Sequence, residues 1–124
     1  MALGVGVDII AISRMKDILE TSGEVFIQKA FTAYEQERAV QHPDKTAYLA
    51  MIFAAKEAIF KTFGAGWDPI AELKDMEIRD GRFGEPLAVL SGRFTDLMAE
   101  RGATRMLLSL SYDGDYAIAM ATLA

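Results

Sequence analysis

A chain of 124 residues with a formal net charge of −5 fits one domain, big enough for a real core but small enough for a binding cleft to need a neighbouring subunit, and its acidity disfavours nucleic acid as main partner. It has no cysteine and one histidine, His42, which reads as loop surface before Pro43; a disulfide framework, a thiolate site and a cysteine nucleophile are excluded, and Ser-His-Asp catalysis or a histidine-rich zinc site is disfavoured. No apolar run reaches the roughly 18 residues of a spanning helix and no basic-then-apolar leader opens the chain, so a soluble, cytoplasmic protein without a membrane partner is expected.

Leu3 to Ile10, LGVGVDII, alternates as a strand, with Leu3, Val5, Val7 and Ile9 on one face and Gly4, Gly6, Asp8 and Ile10 on the other. Glycine inside a strand marks close approach by a ligand or another backbone. Asp8 shares that face, where it is either a strand-end or turn residue or a carboxylate needing a partner or a cation. Ser13 is placed to cap a helix with Met15, Ile18 and Leu19 inward, leaving Arg14 and Lys16 outside. Those two cations begin a helix, where its dipole disfavours them; they read as a solvated face or as a docking surface. Ser22 to Phe31 is a second short helical pattern with Val25, Phe26, Ala30 and Phe31 inward.

Thr32 followed by Glu35 is a capping box opening a third helix, AYEQERAVQ, which Pro43 ends. Asp44 can cap the central helix, Ala47 to Phe63, AYLAMIFAAKEAIFKTF, and Gly64 can end it. Tyr48, Ile52, Ala55, Ile59 and Phe63 form its core stripe. Ala50, Phe53, Ala54, Glu57 and Lys61 lie along another line, and the absence of charge from Ala47 to Ala55 points to burial on more than one side. Glu57 and Lys61 therefore admit two readings, an i,i+4 surface ion pair or a sheltered carboxylate that needs a partner.

Gly64 to Pro69, GAGWDP, reads as a loop without the pattern of a phosphate loop. Met76 and Ile78 mark a strand, Asp80-Gly81 a turn and Pro86 to Leu90 the next strand. Phe94, Leu97 and Met98 mark a helix ending at Gly102. Arg105 to Ser111, a turn at Tyr112 to Asp115 and Tyr116 to Thr122 make a terminal hairpin. This order predicts a single α+β domain with helices on a largely antiparallel sheet.

With these elements placed, the sequence resembles the holo-acyl-carrier-protein synthase type of 4′-phosphopantetheinyl transferase over nearly its whole length. The resemblance is carried by G-V-D-I at Gly6 to Ile9 with Arg14 beyond it, and by F-A-A-K-E-A at Phe53 to Ala58 with Lys61. Phe31-Thr32 with Glu35, Gly84-Glu85-Pro86, and Ser109-Leu110-Ser111 before a hairpin turn follow in order. Two positions depart from the family pattern: Ile52 stands where an arginine is usual, and Tyr112 where a histidine is usual. A tyrosine hydroxyl still donates a hydrogen bond but cannot become cationic.

The resemblance implies a 4′-phosphopantetheinyl transferase-like fold over residues 1–124. It implies transfer of phosphopantetheine from coenzyme A to a serine of an apo acyl carrier protein, with release of 3′,5′-ADP, in a homotrimer whose sites lie between subunits. The carrier is a fatty-acid, polyketide or other one. Asp8 and Glu57 would hold Mg2+, which commonly binds through one or two carboxylates plus substrate phosphates. Lys61, with Lys56, would add positive charge at the phosphates, and Glu57 would serve as base, directly or through water, or as a ligand alone. Gly84, Pro86, Ser111 and Tyr112 would contact coenzyme A, and Arg14 with Lys16 would dock the acidic carrier. The alternatives are a non-catalytic trimer that binds coenzyme A or carrier, and a small phosphoester hydrolase.

Overall fold

The computed structural model describes residues 1–64 and 71–124; the loop read over Gly64 to Pro69 lies, beyond Gly64, outside the described residues. In chain order the elements are β1 (Gly4–Ala11), α1 (Ile12–Ala30), α2 (Ala33–Gln41), α3 (Lys45–Thr62), a 3-10 turn (Leu73–Asp75), β2 (Met76–Asp80), β3 (Pro86–Leu90), α4 (Arg93–Glu100), β4 (Met106–Asp113) and β5 (Tyr116–Leu123). Both sheets are antiparallel: three strands in the order β1-β5-β4, and the hairpin β2-β3. This is the α+β arrangement that the strand and helix patterns predict. Among the described residues no helix is long and apolar enough to cross a membrane.

Helix α3 lies across β1 and β5, and its seat is made of small residues. A Cβ on Gly4 would come within 2.1 Å of the Thr62 carbonyl oxygen, and one on Gly6 within 2.0 Å of the Ala58 carbonyl oxygen. The β1 glycines therefore mark approach by a backbone, and any side chain there would push helix and strand apart. Ala117, Ala119 and Ala121 continue the seat on β5, facing the helix with Ala50, Ala54 and Ala58, all fully or almost fully buried. The predicted stripe of Tyr48, Ile52, Ala55, Ile59 and Phe63 is buried as well, so α3 is enclosed on more than one side.

Capping is as read for two helices. Thr32 and Glu35 form the capping box of α2, and Asp44 accepts from the Ala47 N–H at 3.0 Å to start α3. Helix α1 differs. The two helical patterns run on as one element bent at Gly23, whose φ of 30° and ψ of −113° are non-helical, a conformation open to a residue without Cβ. Beyond that bend the inward stripe is Phe26, Ile27 and Ala30, and Val25, expected inward, is 65% exposed. Ser13 does not cap the helix. The cap comes from the terminal hairpin, where Asp115 accepts from the Ser13 N–H at 3.0 Å and from its hydroxyl at 2.8 Å. That hairpin also turns later than the sequence pattern predicts: Tyr112 pairs with Ala117 inside the ladder, and Gly114-Asp115 forms the loop.

Candidate active site

Asp8 follows Gly4 and Gly6 on the same face of β1, and the small seat brings α3 down onto it. Lys61 reaches across the gap: its Nζ donates to the Val7 carbonyl at 2.9 Å and to Asp8 Oδ1 at 3.1 Å. The i,i+4 pairing of Glu57 with Lys61 is thus not the one that forms, since the lysine goes to the strand. Glu57 stands one turn earlier, half-buried and without a hydrogen bond of its own among the described residues. Burial holds its carboxyl above the usual range, the Asp8 charge pushes it further the same way, and Lys61 opposes them. Two carboxylates and one ammonium, Asp8 from β1 and Glu57 with Lys61 from α3, therefore share a partly open site.

Lys56 has the opposite environment. Its side chain is completely buried, with Nζ donating to the Ala30 carbonyl and to Glu35 Oε1, each at 2.6 Å, and lying 5.5 Å from the Phe31 ring centroid. Glu35 Oε1 also accepts from the Thr32 N–H, and Oε2 from the Ile78 N–H at 2.7 Å. One capping-box carboxylate thus ties together α2, α3 and β2. The expectation that Lys56 adds charge at the phosphates is corrected here, because its ammonium has no path to a ligand. Burial pulls its pKa below the ordinary lysine value, against the opposing pull of Glu35.

The expected coenzyme A contacts fall in separate places. Gly84 and Pro86 line a cavity of about 240 Å³ together with Arg38, His42, Tyr48, Met51, Ile52, Ile78, Asp80 and Leu110, and among the described lining residues there is no Asp8, Glu57 or Lys61. Strand alternation puts Tyr112 on the core side of β4 with Leu110, and Ser111 on the outer side with Leu107 and Ser109. His42, expected on a loop surface, is half-buried, with its ring centroid 5.5 Å from Tyr48 and 6.3 Å from Tyr112. Within one chain, then, Gly84 and Pro86 share a cavity, Ser111 faces away from Tyr112, and Asp8, Glu57 and Lys61 form their own cluster. Arg14 and Lys16 are exposed in the first turns of α1, without an ion pair among the described residues.

The 4′-phosphopantetheinyl transferase superfamily model matches residues 4–121. The chain belongs to that family. Within it the relatives are of the holo-acyl-carrier-protein synthase type: the synthase of Geotalea daltonii is 37% identical over 123 residues, covering 99% of this chain and 98% of the relative. The crystal structure of the Neisseria meningitidis synthase superposes with a TM-score of 0.91 at 27% identity, covering 100% of this chain and 99% of that one. A Chronobacterium ammoniagenes relative, solved as a complex with CoA, gives a TM-score of 0.85 at 30% identity over 99% and 97% of the two chains. The chain is accordingly a transferase of the holo-acyl-carrier-protein synthase type, as the ordered motifs imply.

Within this transferase the sequence reading missed Arg38 and Asp80, which both line the cavity and form an ion pair there. A signal for Arg38 was present, since it stands three residues after Glu35 and therefore on the same side of α2 as a residue fixed inward by its capping box.

The donor set at Asp8 and Glu57 suits magnesium. It consists of two hard carboxylate oxygens in a partly open site. Burial raises the Glu57 pKa and the Asp8 charge adds to it, the latter being a repulsion that a divalent cation relieves. No group of three potential ligands occurs among the described residues, and a magnesium site completed by substrate phosphates needs none.

Proposed function

We propose that this transferase, as one domain over residues 1–124, moves 4′-phosphopantetheine from coenzyme A to a serine of an apo acyl carrier protein and releases 3′,5′-ADP, with magnesium held by Asp8 and Glu57. The observation that carries the reading is the convergence of Asp8, Glu57 and Lys61 from β1 and α3 in one half-open site. When bound, the metal would neutralise negative charge on the pyrophosphate. The side chain of Lys61, 54% exposed, keeps its ammonium at the mouth of the site, where it can stabilise the oxygen on which charge builds as the pyrophosphate bond breaks.

The serine Oγ forms a bond to the phosphorus that bears pantetheine, the bond from that phosphorus to the bridging oxygen breaks, and 3′,5′-ADP leaves with the electron pair. Glu57 accepts the serine proton. Its carboxylate, half-buried and without a hydrogen bond of its own among the described residues, has an oxygen lone pair to take that proton. No protein nucleophile is required.

The reading includes a homotrimer with sites between subunits and a cytoplasmic setting. Val5, Val7, Ile9, Leu107, Ile118 and Met120 make an apolar outer face on the three-stranded sheet, each between 42% and 65% exposed. A face of that kind marks an interaction surface. Ser111 lies on this side of the sheet, and the separation of the Gly84–Pro86 cavity from Asp8 and Glu57 within one chain also supports a ligand shared between copies.

Mass spectrometry of an apo carrier incubated with coenzyme A, magnesium and the protein tests the proposal. A carrier gaining one phosphopantetheine supports it. An unmodified carrier with coenzyme A still bound to the protein would make it a binding module, and cleavage of coenzyme A without carrier would make it a hydrolase.

A further inference from the structure

The cavity beside Gly84 and Pro86 holds one permanent cation among its described lining residues, Arg38. Its hydrogen bonding is incomplete. The Nη2 nitrogen pairs with Asp80, Nη1 is 3.5 Å from Gln41 Oε1, and Nε is buried with no partner. The side chains of Arg38 and Asp80 are 42% and 48% exposed, so their ion pair is of the weakly held, solvent-screened kind. A guanidinium in this state gains by exchanging one carboxylate for a phosphate that can take two of its donors in parallel. On the wall beside it, Ile52 is apolar and 3% exposed, and so supplies no charge of its own.

Resting on the transferase reading above, the ligand has two anionic loci, the pyrophosphate where the chemistry occurs and a phosphate monoester on the ribose 3′ oxygen. Asp8, Glu57 and Lys61 account for the first. They do not line this cavity, which leaves the second to a separate cation. We propose that Arg38 reads the 3′-phosphate of coenzyme A, leaving Asp80 as the ligand enters. Asp80 acts as a counter-charge that keeps the guanidinium at the mouth of the cavity until the ligand enters.

Calorimetry on the assembled protein with magnesium, comparing coenzyme A with dephospho-coenzyme A, which lacks only the 3′-phosphate, tests this. Arg38→Ala is expected to weaken coenzyme A by about 10- to 100-fold, the range for a lost hydrogen bond to a charged group, and to leave dephospho-coenzyme A unchanged. Asp80→Asn removes the counter-charge and is expected to leave coenzyme A binding unchanged or tighter. Equal binding of the two ligands by the unmodified protein overturns the proposal. Equal weakening of both by Arg38→Ala, or no weakening of either, overturns it too. So does a loss in Asp80→Asn as large as that in Arg38→Ala, because the ion pair would then be the working element. Failure of carrier modification with the ligand discrimination intact would break the transferase reading and leave Arg38 assigned as the phosphate contact.

Discussion

Lys56 and Lys61 stand five positions apart on α3, which turns them about 140° from one another around the helix axis. Each pairs with one carboxylate. The Lys56–Glu35 pair is buried on both sides, whereas Lys61 is 54% exposed and Asp8 19%. In the first, both charged groups are hydrogen-bonded by protein, and the pair links three elements. The second is joined by Glu57, a carboxyl with no hydrogen bond of its own among the described residues, whose pKa is raised by burial and by Asp8. A satisfied charge holds a fold together; a cluster with like charges left uncompensated is prepared for a ligand.

Breaking the buried pair should have the largest effect on stability. Lys56→Ala leaves the Glu35 carboxylate buried without its counter-charge, and a loss of about 3–5 kcal/mol in denaturant unfolding is expected. If Lys56→Ala folds as stably as the unmodified protein yet binds coenzyme A poorly, the two lysines have been assigned the wrong way round. Next in size is Gly6→Ala, which forces a methyl into the Ala58 carbonyl. It should cost about 1–3 kcal/mol. It should also lower transfer by moving Asp8 away from Glu57, an effect that added magnesium partly reverses if the acids do share the ion.

The Lys61 pair should matter much less to the fold. Lys61→Ala is expected to change stability by about 1 kcal/mol or less, as for exposed pairs, while strongly lowering the rate of carrier modification. Smallest of all is Arg14→Ala on the exposed first turn of α1. It should leave thermal melting unchanged and raise the Michaelis constant for carrier more than that for coenzyme A, with a dependence on salt. Equal changes for the two substrates would remove Arg14 from docking.

Much of the scaffold was legible because it is written locally. The Thr32–Glu35 box, the Asp44 cap, the period of α3 and the alternation of β1 each span a few residues. The shared face of Gly4, Gly6 and Asp8 was legible for the same reason, although the sequence alone left open whether a ligand or a backbone came close. What was not legible depends on partners far along the chain. The cap on Ser13 comes from Asp115, 102 residues away, and the burial of Lys56 follows from Glu35 and Ala30 closing over it. Strand alternation, applied to a hairpin whose turn lies one step later than its polar residues indicate, moves Tyr112 into β4 and sets Ser111 on the opposite face. The bend at Gly23 falls within a pattern that reads as two helices either way, but it decides that Val25 faces out.

Glu57 is where the comparison becomes sharpest, because activity and stability should move in opposite directions there. A carboxyl whose folded-state pKa is raised contributes stability below its unfolded pKa and loses it as pH rises through the folded value. Glutamine keeps the neutral form at every pH. In magnesium-free buffer Glu57→Gln should therefore melt at or above the unmodified protein, with an advantage that grows as pH rises from acid to neutral. The most direct test of the account is the mass of an apo carrier after incubation with Glu57→Gln, coenzyme A and magnesium, with a thermal melt of the same variant in magnesium-free buffer. The account predicts a folded protein, at least as stable as the unmodified one, and a carrier whose mass does not change. A carrier modified at a near-normal rate by this folded variant would contradict it.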